Sequence, residues 1–175
     1  MTDTKETIGG IPTDVLRRLA GRYPRQVSLA EGYQVTLELM AEQDIDAVHA
    51  FARTLPPEAL LFLRINITER SVEQHWIESI KSGRSVTVLA RQNDAVMGEA
   101  TLLHNEVSWT RHLGEIRIQI SPLARRRGLA RLLAGEIDAI AKQLGLQLLT
   151  TRMTLDQSAT QAVFRQLGFQ REAVL

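Results

Sequence analysis

One segment limits the fold more than any other. Glu115 to Ser121 (EIRIQIS) alternates strictly, with Ile116, Ile118 and Ile120 on one face, the two-residue period of a β-strand. The strongest helical pattern in the chain follows it closely. Leu129, Leu132, Leu133, Ile137, Ile140, Ala141 and Leu144 fall on one face, and Gly145 stands where a helix stop is expected. Gln147 to Leu155 then reads as a further strand. A strand, a helix and a strand in that order predict a parallel crossover, with the helix packed across the sheet. The chain therefore reads as α/β, with a mixed sheet.

The remaining elements fit around that unit. Pro12 to Gly21 reads as a short helix capped by Thr13 or Asp14 and stopped by Gly21, after a polar tail expected to be mobile. Tyr33 to Met40 alternates as a strand, and Glu42 to Leu55 follows as a helix that Pro56-Pro57 breaks. Glu58 to Lys81 holds one or two further helices, the clearer being Ser71 to Lys81, where Ser71 and Gln74 match a capping box. Ser85 to Arg91 and Ala95 to His104 form a hairpin across Gln92-Asn93-Asp94. A last helix, Ser158 to Leu167, ends at Gly168, and Phe169 to Leu175 is a strand candidate.

At 175 residues the chain is long enough for one domain with a sizeable core. Its 21 basic and 20 acidic residues give a net charge of +1, which supplies no bulk attraction to nucleic acid or to a membrane surface. With no Cys, disulfides, thiolate metal sites and a cysteine nucleophile are excluded together, and four scattered His give no metal-ligand spacing. No apolar run approaches the roughly 20 residues of a membrane span, and the N-terminus lacks an apolar signal core. A cytoplasmic protein using no metal is the expectation.

The chemistry concentrates in Ile120 to Arg131 (ISPLARRRGLAR). A strand ends, a short loop carries Arg125, Arg126, Arg127 and Gly128, and the strong helix begins immediately. Such a turn aims unpaired N–H groups and the positive end of a helix dipole at whatever lies in front, a setting that suits a phosphate or diphosphate. Gly128 and small Ala130 let an anion approach the backbone, and the arginines add attraction. The same residues also describe an ordinary basic turn. The Lys-Ser/Thr of a P-loop and the second glycine cluster of a dinucleotide fold are both missing.

Arg125-Arg126-Arg127-Gly128-Leu129-Ala130 resembles the Arg/Gln-x-x-Gly-x-Gly/Ala signature of the GNAT superfamily of N-acetyltransferases. Downstream, Gln157-x6-Phe164-Arg165-Gln166-Leu167-Gly168-Phe169 is similar to the family's Asn-x6-Tyr-x-x-Leu-Gly-Phe, with identical spacing. The resemblance runs from Tyr33 to the end, which divides the chain into an N-terminal extension, 1–32, and a GNAT-like domain, 33–175. It implies a mixed sheet with helices on both faces and an acyl-CoA donor, acetyl-CoA above all. The diphosphate would lie on the amides of Arg125 to Ala130, beside Arg131. The pantetheine arm would pair with Ile118, Gln119 and Ile120 where the central strand and the next one splay apart, with Gln157 and Phe164 alongside. A backbone N–H in that strand would stabilise the oxyanion, and holding the amine against the thioester would supply much of the rate.

Three departures stand out. The tyrosine that acts as general acid in the family is Phe164 here, and the only tyrosines, Tyr23 and Tyr33, precede the resembling core. A lost general acid lowers a rate by about 10²- to 10⁴-fold. For the base, Glu115 is the first candidate, although the family's glutamate in this strand falls one residue earlier, on Gly114, and one residue reverses the face. His104, His112, Glu99 and water-mediated deprotonation are the other options, while a second family position is occupied by Arg152, which cannot serve. Finally, the family's last strand has no counterpart before Leu175, so the strand at Gln147 to Leu155 is expected to expose an edge; either the missing strand follows beyond this sequence or pairing with a second copy covers the gap.

The acceptor is open among small amines, amino acids and protein amines. Glu58, Glu69, Glu73, Glu78 and Glu106 are suited to attract a cationic one. A catalytically silent CoA-binding module is the alternative to an acyltransferase. An anion or nucleic-acid binder using the arginine turn is disfavoured by the 5% aromatic content.

Overall fold

The computed structural model describes residues 7–8, 11–57, 59, 70–104, 110–155 and 157–173. At the start, β1 (Thr7–Ile8) pairs antiparallel with β2 (Ile11–Pro12), so part of the expected tail is a small ribbon. A six-stranded sheet then runs in chain order: β3 (Arg25–Ser28), β4 (Gln34–Leu39), β5 (Ser85–Gln92), β6 (Ala95–His104), β7 (Leu113–Ile120) and β8 (Leu148–Thr151). Every neighbouring pair is antiparallel except β7 and β8, which are parallel, as the strand–helix–strand order requires.

Over the described residues the sheet is covered by helices α1 (Thr13–Arg22), α2 (Ile45–Ala52), α3 (Arg70–Lys81), α4 (Leu129–Gln143) and α5 (Ser158–Gln166). On one face, Val15 and Leu19 of α1, Leu133, Ile137 and Ile140 of α4, and Phe164 of α5 join Leu37, Val88, Leu102 and Ile116 of the sheet in one buried cluster. On the other, Val48 and Phe51 of α2 and Trp76 and Ile77 of α3 pack with Met40, Leu89 and Val96. Tyr33 marks the start of the resemblance but not a seam in the packing, since Ile11, Val15, Leu19 and Tyr23 lie within the first cluster.

Several boundaries differ from expectation for local reasons. α1 continues through Gly21 to Arg22, whose guanidinium is held by Glu136 across the core. Glu42–Asp44 forms a 3-10 turn ahead of α2, fixed by the Ala41 N–H donating to the Asp44 carboxylate at 2.8 Å. Strand β3 was not anticipated at all; its four residues become a strand only because β4 is beside them. Residues 169–173 form no strand. Gly168, at φ +92°, reverses the chain, the Phe169 N–H donates back to the Phe164 carbonyl at 3.0 Å, and the two rings meet edge to face with centroids 4.9 Å apart. The outer edge of β8 consequently has no strand partner among the described residues. No described helix is long and apolar enough to cross a membrane.

Candidate active site

β7 is bonded to β6 from Gly114 to Ile120 but to β8 only over its first half. The parallel ladder ends at Ile116 opposite Thr151, while the antiparallel one continues to Ile120 opposite Gly98. Ser121 donates its N–H to the Met97 carbonyl at 2.9 Å, which fixes the alternation. Odd-numbered residues at the end of β7 turn their backbone groups to β6. Ile118 and Ile120 turn theirs to the side that β8 has left. The result is a wedge with main-chain donors and acceptors along one wall.

Directly beyond it lies the arginine turn. The Ser121 hydroxyl accepts from the Leu123 N–H and starts a 3-10 turn over Pro122–Ala124. Arg126 then takes φ +62° and Gly128 φ +85° before α4 begins. A Cβ on Gly128 would meet no atom within 4 Å, so the space in front of the helix is open. As N-cap, Gly128 offers no side-chain acceptor, and the first helical bond runs from the Leu132 N–H to the Gly128 carbonyl at 3.0 Å. The earlier N–H groups of the turn are thus left for an external acceptor.

The arginines divide their work. Arg125 and Arg126 are exposed. Arg127 folds back, its guanidinium 4.5 Å from the centre of the Tyr33 ring and its Nε buried without a partner, so only its main chain faces the opening. Leu129 is buried in the core, Ala130 is half-buried, and Arg131 donates to the Gln166 side chain of α5 at 2.9 Å.

The wedge opens into a shallow cleft lined by Arg117, Ile118 and Gln119 of β7, by Thr151, Arg152 and Met153 at the end of β8, and by Gln157, Thr160 and Phe164. Gln157, Thr160 and Phe164 lie at helical spacing along α5 and its N-cap, one stripe facing the strands. Four residues proposed from the sequence, Ile118, Gln119, Gln157 and Phe164, share this wall. Thr160 and Arg117 do too, and neither was anticipated. Thr160 could have been found from its place between Gln157 and Phe164 on one helical face.

Glu115 is ion-paired through both oxygens. Its Oε1 accepts from Arg117 Nε at 3.0 Å and its Oε2 lies 3.6 Å from Arg152 Nη1. A different acid is buried nearby. Glu99 of β6 stands opposite Gln119, 2% exposed, and accepts from the Thr101 hydroxyl at 2.9 Å. Thr101 meets Thr87 at 2.9 Å, and Thr87 accepts from Trp76 Nε1 of α3 at 3.0 Å. Burial pushes the Glu99 carboxyl up to about 7, against the opposing pull of the Thr101 hydroxyl and the Arg117 charge.

His112 is exposed before β7, its carbonyl taken by the N–H groups of Gln147 and Leu148, and His104 ends β6, bonded through its N–H to the Arg84 carbonyl. Trp109, Glu58, Glu69 and Glu106 lie outside the described residues, as does the side chain of Glu73. Glu78, on α3, is exposed.

The acetyltransferase (GNAT) family model covers residues 45–169. The chain belongs to the GNAT family. Solved GNAT structures share its fold at low sequence identity. The GNAT domain of S. lividans PAT superposes with a TM-score of 0.74 at 13% identity, over 85% of this chain and 89% of that one. The phosphinothricin acetyltransferase of Sinorhizobium meliloti, solved with AcCoA, gives 0.66 at 23% identity, over 79% and 76%. The ribosomal-protein-alanine N-acetyltransferase of Brucella melitensis gives 0.63 at 20%, over 77% and 83%. No curated protein sequence matches the chain.

Proposed function

We propose that this GNAT protein transfers the acetyl group of acetyl-CoA to an amine. The observation that carries the reading is the wedge past Ile116, with the open turn at Gly128 immediately beyond it. Main-chain N–H groups of Arg125 to Ala130 would hold the diphosphate, with Arg125, Arg126 and Arg131 adding charge. Ile118 and Ile120 present N–H and C=O groups to an extended pantetheine arm, and an N–H of the same strand stabilises the oxyanion as the amine attacks the thioester carbon. Gln119, Gln157 and Phe164 complete the walls beside the sulfur end.

In the reaction an N–C bond forms, the C–S bond breaks, and the amine loses a proton as the thiolate gains one. No tyrosine stands ready to give that proton: Tyr33 lies under Arg127, and Tyr23 donates to Glu136 at 2.7 Å. Water reprotonates the thiolate in this reading, which fits a slow enzyme. Glu115 serves to orient the two arginines it touches.

The ion-paired Glu115 and the Phe at position 164 also favour a second reading, a CoA-binding module without turnover. Titration with acetyl-CoA, followed by thiol release over an amine panel, separates the two. Binding with CoA release on at least one amine supports transfer; binding with none supports the module. Gly128→Trp is expected to weaken acetyl-CoA binding at least tenfold by filling the open turn, while the φ of +85° costs the fold about 1–2 kcal/mol. Unchanged affinity in that variant overturns the mapped donor site. The bare outer edge of β8 supports pairing with a second copy, which a molar mass by light scattering checks; a strictly monomeric mass removes it.

A further inference from the structure

The arginine turn is tied to the loop between β3 and β4. The Arg127 guanidinium lies 4.5 Å from the centre of the Tyr33 ring, and its Nε is buried without a hydrogen-bond partner, so the ring face rather than a polar group holds the charge. The ring is a firm seat. Tyr33 packs on the first core cluster, its carbonyl accepts from the Leu29 N–H at 2.7 Å, and its N–H donates to the Ala30 carbonyl at 3.2 Å. The turn, in contrast, needs holding. Arg126 stands at φ +62°, a left-handed conformation that is unfavourable for any residue with a Cβ, and its side chain is exposed, like that of Arg125. Such a residue is also what turns successive N–H groups toward one point, the main-chain concavity that takes an anion. Arg127 sits between the two left-handed residues, Arg126 and Gly128.

We infer that Tyr33 is a positioning residue for the donor: its ring grips Arg127 and so keeps the turn in the form that binds the diphosphate. This rests on the acyltransferase reading above and adds to it a residue outside both signatures. A side chain gripped at that point restrains the peptide groups on either side of it, which carry the N–H groups of Arg127 and Gly128. Ordering them before the ligand arrives removes a cost that binding would otherwise bear. The phenol hydroxyl has no part in this. A phenylalanine should serve as well, whereas an aliphatic side chain offers no negative ring face to the guanidinium.

Calorimetry of the full chain with acetyl-CoA tests the inference. Tyr33→Leu is expected to weaken binding about three- to tenfold, Arg127→Met by about as much, and Tyr33→Phe by less than about twofold. In the double variant Tyr33→Leu, Arg127→Met the two losses should not add, because both break one contact. Acetyl-pantetheine, which has no diphosphate, should keep its affinity in every variant. Additive losses, an equal loss for acetyl-pantetheine, or tighter acetyl-CoA binding by Tyr33→Leu each overturn the inference, since the ring would then support the core or withhold the guanidinium from the ligand. If Tyr33→Leu does not fold, Arg127→Met decides, and wild-type affinity in that variant overturns the inference equally. Failure of the wild type to bind acetyl-CoA would instead remove the acyltransferase reading itself.

Discussion

Two carboxylates are buried on opposite faces of the sheet, and their surroundings differ in kind. Glu136 of α4 is met by Arg22 through Nε at 3.2 Å and Nη2 at 2.9 Å, by Arg25, and by the Tyr23 hydroxyl at 2.7 Å. Glu99 of β6 has a threonine hydroxyl at 2.9 Å and feels Arg117 only through its field. The first carboxylate is neutralised by its neighbours and ties the N-terminal segment to the helix that carries the arginine turn. The second has too little positive charge beside it to hold its own charge cheaply, and it retains a proton to about 7. A buried acid becomes a structural tie or a proton reservoir according to the cations around it. In this molecule the reservoir is the one next to the cleft.

The strongest way to break this contrast is to make Glu136 resemble Glu99. The double variant Arg22→Ala, Arg25→Ala leaves Glu136 buried with only Tyr23, and is expected to lose roughly 3–5 kcal/mol at pH 8. Urea unfolding measures it, and a loss below about 1 kcal/mol would show that the tie is dispensable.

The second effect concerns Glu99 alone. Its folded value, about 7, lies above its ordinary 4.5, so between these values the native state binds more protons than the unfolded chain. Stability should therefore fall as pH rises through that window, by on the order of 3 kcal/mol. Glu99→Gln should flatten the slope and be the more stable protein above pH 7. A variant that keeps the wild-type slope would show that another group produces it.

The smallest expected change sharpens the contrast from the other side. Tyr23→Phe removes one donor but leaves both cations on Glu136, and should cost about 1.5 kcal/mol with no new dependence on pH. Burial and the adjacent Glu136 carboxylate push the Tyr23 phenol up, so it stays a donor across the working range.

Local chemistry made much of the frame readable. The alternation of Ile116, Ile118 and Ile120, the apolar stripe from Leu129 to Leu144 and the glycines at 128, 145 and 168 report on single turns and single strands, whose preferences act over a few residues. The hairpin at Asn93-Asp94 was legible for the same reason, with Asn93 taking φ +53°. The face that Glu115 would occupy also followed from strand parity alone. Its partners did not, because Arg152 arrives from another strand.

The sequence by itself determined the strand–turn–helix that opens at Gly128 and the paired signatures that name the family, since both depend on spacing along the chain. Tertiary structure alone decided that Arg22 and Arg25 close on Glu136 more than a hundred residues away, that β8 parts from β7 after Ile116, and that Arg117 and Arg152 converge on one carboxylate. Those contacts depend on strand register and on which helix covers which face. Many side chains set these together, and no short stretch of sequence encodes them.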